Sequence, residues 1–290
     1  MILVTGASGR VGKEICRILT ANGEAYKAGF HSAPPSGTTS PGADAAEAVP
    51  LDFLDRESLR RALRGVETVM YVAPPVPEMA QMTENLLAAS RESAVRAIVK
   101  ISAYGEEEGS TSLLGTWHSA SDRLLRESGI PSTILCAMPF MQNVLFIAKA
   151  MIQPLGAIML PCGQGRVSHV DSRDVAAAAA SVLSAPEGHA GRRYVITGPE
   201  AISYGHAAEI ISEAAGRPVK YRDITEEEAR AIMGRINLPA PLLEAKLVSF
   251  RLEKAGARSF VSEDFMSITG RPATSFAEFV AEHRAAFNGG

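Results

Sequence analysis

Cysteine is scarce in this chain. Cys16, Cys136 and Cys162 are too few and too widely spaced for a disulfide framework or the paired spacing of a zinc site, and they read as small buried apolar residues. His189, His206 and His283 have no partners at ligand spacing either, so no metal is expected. Long apolar runs are missing too: the longest, such as Ala176 to Leu183, fall far short of the roughly 20 residues that a membrane-spanning helix needs. The first residues already read as a strand, leaving no room for a signal peptide. Charge of one sign is lacking as well. With 29 basic and 32 acidic residues the net charge is −3, so no overall field recruits nucleic acid or an anionic membrane. These absences predict a soluble, cytoplasmic protein without a nucleic-acid or membrane partner. Its oligomeric state stays open between monomer and homodimer.

What is present is alternation. Short apolar, β-branched runs at Ile2 to Thr5, Ala25 to Phe30, Val49 to Leu51, Thr68 to Val72, Ala97 to Ser102, Ser132 to Leu135 and Tyr194 to Thr197 are separated by segments of helical period. Most of the runs lack in–out alternation, as strands covered on both faces should. The pattern predicts an α/β protein with a doubly wound parallel sheet of the Rossmann type and a smaller, mostly helical C-terminal cap. The predicted division is a dinucleotide-binding domain over 1–197, with 140–170 contributing to the substrate cleft, and a substrate-side region over 198–290. Asp55 before "RESLRRAL" and Asp171-Ser172 before "RDVAAAAASVL" are predicted helix N-caps. The stretch "HSAPPSGTTSPGADAAEAVP" reads as an exposed loop with at most a short helical turn near its end.

The first strand runs into "TGASGRVG", three glycines spaced three apart, with a helix opening near Val11. Strand, glycine turn and helix N-terminus together present backbone N–H groups to a pyrophosphate. Thr5, Gly6, Ser8, Gly9, Arg10, Val11 and Gly12 are therefore candidate cofactor contacts. The turn, followed by "LDFLDRESLRRALRGVETVMYVAPP", "VRAIVKISA", "SDRLLRESGIPSTIL", "MPFMQN", "VDSRDVAAAAASVL", "YVITGPEAIS" and "ITGRPATSFAEFV", resembles the NmrA-like group of the short-chain dehydrogenase/reductase superfamily. That group includes NAD(P)H quinone, azo-dye and triphenylmethane reductases, and the resemblance runs nearly the whole length.

An NAD-preferring site usually places an acid about 20 residues past the glycines. "AYKAGFHSA" has none, and Lys27 and His31, four apart on one side of a strand, are the groups available to a 2′-phosphate. The expectation is NADP(H), with NAD(H) also usable. The resemblance implies an arginine where His31 stands, and a histidine cannot make an arginine's bidentate grip. It also implies an adenine contact at Asp52-Phe53 and a wall for the diphosphate and ribose at Ala73-Pro74-Pro75.

Short-chain reductases pair a serine with Tyr-x-x-x-Lys. Here Ser102 takes the serine position, and "GTWHSASD" puts His118 and Asp122 where the tyrosine and lysine would be. Four apart on one helix, these two share a face, and a carboxylate orienting the imidazole would raise its basicity and make His118 a proton donor. Tyr104 keeps a phenol available as an alternative acid. The resemblance places substrate walls at Pro139, Phe140, Met141, Asn143 and Phe146, and buried core packing explains the apolar ones equally well. The reading that follows is an NAD(P)H-dependent oxidoreductase passing hydride to a quinone, enone, imine or azo acceptor. The incomplete tetrad leaves a second reading, a non-catalytic NADP(H) sensor of the NmrA type. Epimerisation or dehydration on the same cofactor fits less well without Tyr-x-x-x-Lys.

Overall fold

A computed structural model describes residues 1–31, 46–105, 113–234 and 240–288. Its centre is a seven-stranded, wholly parallel sheet. In chain order its strands are β1 (Ile2–Val4), β2 (Tyr26–Phe30), β3 (Ala46–Pro50), β4 (Thr68–Tyr71), β5 (Ala97–Ala103), β6 (Ser132–Ala137) and β9 (Arg193–Ile196). They lie side by side as β3-β2-β1-β4-β5-β6-β9, so the strand order reverses beside β1, where open sheets of this kind bind ligands. Every run expected from the sequence forms a strand. β3 starts ahead of the expected run, at residues 46–48, a stretch expected in the loop or a short helical turn, because pairing with β2 from Tyr26–Ala46 to Phe30–Pro50 overrides the weak strand preference of "AEAVP". The rest of that expected loop, 32–45, lies outside the described residues.

Helices cover both faces. The sequence first supplies α1 (Arg10–Ala21), α2 (Arg56–Ala62), α3 (Met79–Arg91) and α4 (Leu113–Glu127). α5 (Asn143–Ile147) continues through a π-helical turn into α6 (Gln153–Leu155), and α7 (Ser172–Ser184) follows. α1 and α7 pack Val11, Ile15, Leu19, Val175 and Val182 against Ile2, Val4, Met70 and Val99 on one side of the sheet. α2, α3 and α4 pack Leu59, Leu86, Leu87 and Leu125 against Leu3, Val69, Tyr71 and Ile98 on the other. Successive strand residues therefore point to opposite layers, and both layers are apolar, as the unalternating runs imply. The Asp55 and Asp171 side chains accept from the N–H groups of Glu57 and Arg173 and cap α2 and α7 as expected.

A second core lies beyond the carboxyl edge. It joins Met141, Val144, Ile152, Ile158 and Cys162 to Tyr204, Ile211, Phe276, Phe279 and Phe287, so residues from both sides of position 198 build one packing unit. Two small sheets stitch it together: β7 (Ala157–Leu160) with β11 (Lys220–Asp223), and β8 (Arg166–Val167) with β10 (Ile202–Ser203). The remaining helices are α8 (Tyr204–Ala215), α9 (Glu226–Gly234), α10 (Ala240–Lys254), α11 (Asp264–Thr269) and α12 (Phe276–Glu282). Asp174, 1% exposed at the start of α7, accepts from Arg271 and from Thr274 N–H, each at 2.7 Å, and ties this C-terminal segment to the main layer. Asp264 adds a second tie by accepting Val195 N–H at 2.7 Å, on the last strand of the sheet. No helix among the described residues is long and apolar enough to cross a membrane, and none of their side chains cluster as a metal site.

Candidate active site

The glycine turn is built for close approach. Gly6 has φ +60°, and a Cβ there would lie 2.8 Å from the Val72 carbonyl oxygen. At Gly12 a Cβ would come within 2.2 Å of the Gly6 oxygen, so only glycine lets α1 sit this near the turn. The Thr5 hydroxyl accepts Val72 N–H at 2.8 Å and lies 2.9 Å from the Val72 carbonyl, bracing the turn on β4. Ser8, Gly9 and Arg10 are exposed, and α1 begins at Gly9 without a side-chain cap. Uncapped N–H groups beside an accessible glycine turn suit a dinucleotide pyrophosphate. Val11 and Gly12 are buried and shape that helix end.

The other expected cofactor contacts follow the sheet's carboxyl edge in order. His31 is exposed directly after β2. Lys27 is excluded from a 2′-phosphate: it is 6% exposed and donates to the Arg64 carbonyl at 2.8 Å, with Glu47 at 3.7 Å. Asp52 follows β3 and accepts Leu54 N–H at 2.9 Å. The Phe53 ring is buried edge-on against Tyr71, so its side chain belongs to the core. Ala73, Pro74 and Pro75 leave β4, with both prolines exposed.

At the end of β5 the structure departs from the sequence reading. Asp122 does not orient His118. Its Oδ1 accepts from Lys100 Nζ at 2.5 Å and its Oδ2 from the Ser102 hydroxyl at 2.7 Å. Lys100 and Ser102 are two apart on β5 and share a face; His118 and Asp122 are one turn apart on α4 and meet them. His118 Nδ1 stands 3.5 Å from Ser102 Oγ. Burial, reinforced by the Lys100 ammonium, pushes His118 down to about 4, and Asp122 opposes this only in part. The imidazole is thus neutral near pH 7, not the basic donor that the helical spacing suggested. Lys100 itself is 1% exposed, and burial holds it below the usual lysine range.

The substrate side begins at Arg10, which reaches from the glycine turn to the Asn143 side-chain oxygen at 3.3 Å and lies over the Phe140 ring at 5.8 Å. Candidate cofactor and substrate segments thereby meet. The Pro139 carbonyl accepts Val170 N–H at 3.1 Å. Phe146 is 60% exposed, but Met141 is 1% exposed within the second core, so it supports the wall without forming its face. Tyr104 packs edge-on against Phe260 with ring centres 4.9 Å apart.

The sequence profile of the NmrA-like family matches residues 1–257. The chain belongs to the NmrA-like family. It is 35% identical over 287 residues to an NAD(P)H azoreductase of Xenophilus azovorans, covering 99% of each chain. It is equally 35% identical, over 291 residues and 99% of each chain, to the (4-alkanoyl-5-oxo-2,5-dihydrofuran-3-yl)methyl phosphate reductase of Streptomyces griseus. Among solved structures, the NADPH-dependent quinone oxidoreductase QOR2 of Escherichia coli, complexed with NADPH, superposes with a TM-score of 0.88 at 26% identity, covering 98% of this chain and 99% of that one.

Two residues of this NmrA-like protein escaped the sequence reading. Lys100 carries a visible signal: a lone lysine in "AIVKISA", a strand covered on both faces, requires a buried counter-charge. Phe260 carries none, because its partner Tyr104 is 156 positions away and no periodic pattern links them.

Proposed function

We propose that this protein is an NAD(P)H-dependent reductase that passes hydride to a small aromatic or conjugated acceptor such as a quinone, enone, imine or azo compound. The observation that carries the reading is Arg10, which joins the glycine turn to Asn143 and Phe140 and so brings a dinucleotide cradle against an aromatic wall. Its full-length relatives, an azoreductase and a furanone phosphate reductase, support the same chemistry. NADP(H) is the preferred cofactor, with NAD(H) usable: among the described residues no acid stands at the end of β2, and exposed His31 is the group left there to meet a 2′-phosphate. The bound cofactor supplies the hydride.

The protein's own contribution is mainly placement. Gly6, Gly9 and the start of α1 hold the diphosphate, with Thr5 and Gly12 fixing the turn and Ser8, Arg10 and Val11 at its mouth. Asp52, the Phe53 backbone and Ala73 to Pro75 line the route of the nucleotide. Pro139, Phe140, Asn143 and Phe146 face the acceptor, with Met141 behind them. Ser102 donates its hydroxyl hydrogen bond to Asp122, and His118 is neutral, so among the described residues Tyr104 is the side chain left to supply a proton. The 1–197 segment acts as the cofactor domain, with 140–170 contributing to the substrate cleft, and 198–290 closes the substrate side. We take the protein to work in the cytoplasm as a monomer or homodimer, without a nucleic-acid or membrane partner.

The test is oxidation of NADPH and NADH by purified protein against a panel of quinones, azo dyes, cyclic enones and imines. Turnover of at least one class, faster with NADPH, is expected. Tight NADPH binding without turnover of any class would overturn the reductase reading in favour of a dinucleotide sensor. Tyr104→Phe should lower kcat about 100-fold, whereas unchanged turnover would remove the phenol as proton donor.

A further inference from the structure

Four side chains at the end of β5 form one directed chain of hydrogen bonds. Asp122 uses one oxygen for Lys100 and the other for Ser102, at 2.5 and 2.7 Å. A serine hydroxyl has a single hydrogen, and here it points to Asp122. Toward His118 Nδ1, 3.5 Å away, Ser102 therefore offers only a lone pair. A neutral imidazole that meets a lone pair at Nδ1 carries its hydrogen there and leaves Nε2 bare.

We propose that Lys100 is a positioning residue of the reductase site: by pairing with Asp122 it fixes the direction of this chain and so decides which nitrogen of His118 carries the proton. The inference rests on the reductase reading for its catalytic meaning, though not for its geometry. Removing the ammonium leaves a buried carboxylate without a counter-charge, and such a group neutralises by taking up a proton from solvent. A protonated Asp122 donates to Ser102, the freed Ser102 hydrogen turns to His118 Nδ1, and the imidazole hydrogen moves to Nε2. The Asp122–Ser102 and Ser102–His118 bonds both reverse: the Ser102 hydroxyl rotates, Asp122 gains one proton from solvent, and the imidazole loses its Nδ1 proton to solvent and takes one up at Nε2.

Among the described residues, the other titratable groups against the pair do not compete for this role. Tyr71 on β4 is raised to about 12 and Cys136 on β6 to about 11, both chiefly by burial, so both are neutral near pH 7. Arg126 on α4 bears on Lys100 as a like charge and gives Asp122 no added proton. The direction of the chain thus depends on Lys100. With the chain as it stands, Ser102 and His118 Nε2 present acceptors, and neither presents a proton, to whatever lies at the end of β5.

The experiment is long-range nitrogen–proton correlation on the full chain labelled with ¹⁵N-imidazole histidine at pH 7, with the His118 signals assigned from His118→Gln. The expected result is the Nδ1–H form in the wild type and the Nε2–H form in Lys100→Met. An Nε2–H signal in the wild type would overturn the proposal even if the variant fails to fold, and so would an unchanged Nδ1–H signal in folded Lys100→Met or Lys100→Gln. Turnover measured in parallel should fall at least tenfold in Lys100→Met with the NADPH KM within about threefold of wild type. A wild type that turns over nothing breaks the reductase reading while the tautomer result stands. A wild type that turns over, with a tautomer indifferent to Lys100, breaks only the present inference.

Discussion

Two buried polar clusters sit on either side of the carboxyl edge, and each contains a buried ion pair and a histidine. In the cap, Arg258 and Glu253, 6% and 4% exposed at the side chain, are joined at 3.3 Å. Glu253 also accepts from Tyr204 at 3.2 Å and from Ser249 at 3.2 Å, while the Arg258 carbonyl accepts Ser168 N–H at 3.0 Å. His169 lies against this group, packed on Tyr204 and reaching the Pro139 carbonyl at 3.3 Å. Here the carboxylate is saturated, with the Tyr204, Ser249 and Arg258 side chains all donating to Glu253. The cluster of Lys100, Asp122, Ser102 and His118 is instead open at one end, where the imidazole makes a single long hydrogen bond among the described residues. The difference separates a device that holds the cap in place from one that sets the state of groups beside a reaction.

The largest effect on stability belongs to the cap. Glu253→Leu removes the buried acceptor that Arg258, Tyr204 and Ser249 share and is expected to cost about 3–5 kcal/mol, read by urea denaturation, with turnover per folded molecule unchanged. The double change Glu253→Leu with Arg258→Met removes both charges of the pair and should recover part of that loss. Recovery of stability without recovery of turnover would place the cap cluster in the reaction after all.

Acid then tests the two histidines. Burial lowers His169, as it lowers His118 to about 4. Below about 6.5 the unfolded chain takes up protons that the folded protein refuses, so stability is complete above that pH and is lost as pH falls toward 4. Melting temperatures taken between pH 7 and pH 4 should fall less steeply in His118→Gln and in His169→Phe than in the wild type. The smallest effect is expected at Lys27, the other buried lysine on a strand of the central sheet. It meets a carbonyl and a largely exposed Glu47, without a buried carboxylate, and Lys27→Met should change stability by no more than about 1 kcal/mol. A large loss there would mean that burial of a lysine, and not its partner, makes Lys100 special.

The central sheet was legible because strands covered on both faces have only one way to look in sequence: short, apolar and bounded by turns. The glycine turn was legible for a similar reason, since Gly6 and Gly12 occupy places where a Cβ collides with backbone. The cap was not. Its strands are two to four residues long, and "KYRD" in β11 has no apolar pattern, so pairing with β7 rather than local preference makes it a strand. At the candidate site the spacing of His118 and Asp122 correctly put them on one helical face. It could not say that a strand lysine would claim the carboxylate first. Helical periodicity reports neighbours within a helix, and this competition was decided between layers.

One tie described for the fold bears on how the protein behaves in company. β9 is the last strand of the sheet, and its outer side carries N–H groups ready to pair with any extended chain. The carboxylate of Asp264 occupies one of them, and α11 packs against the strand beside it. The C-terminal segment thus guards the sheet against growth by self-addition. A chain cut before Asp264 would expose a strand edge of the kind on which aggregates begin.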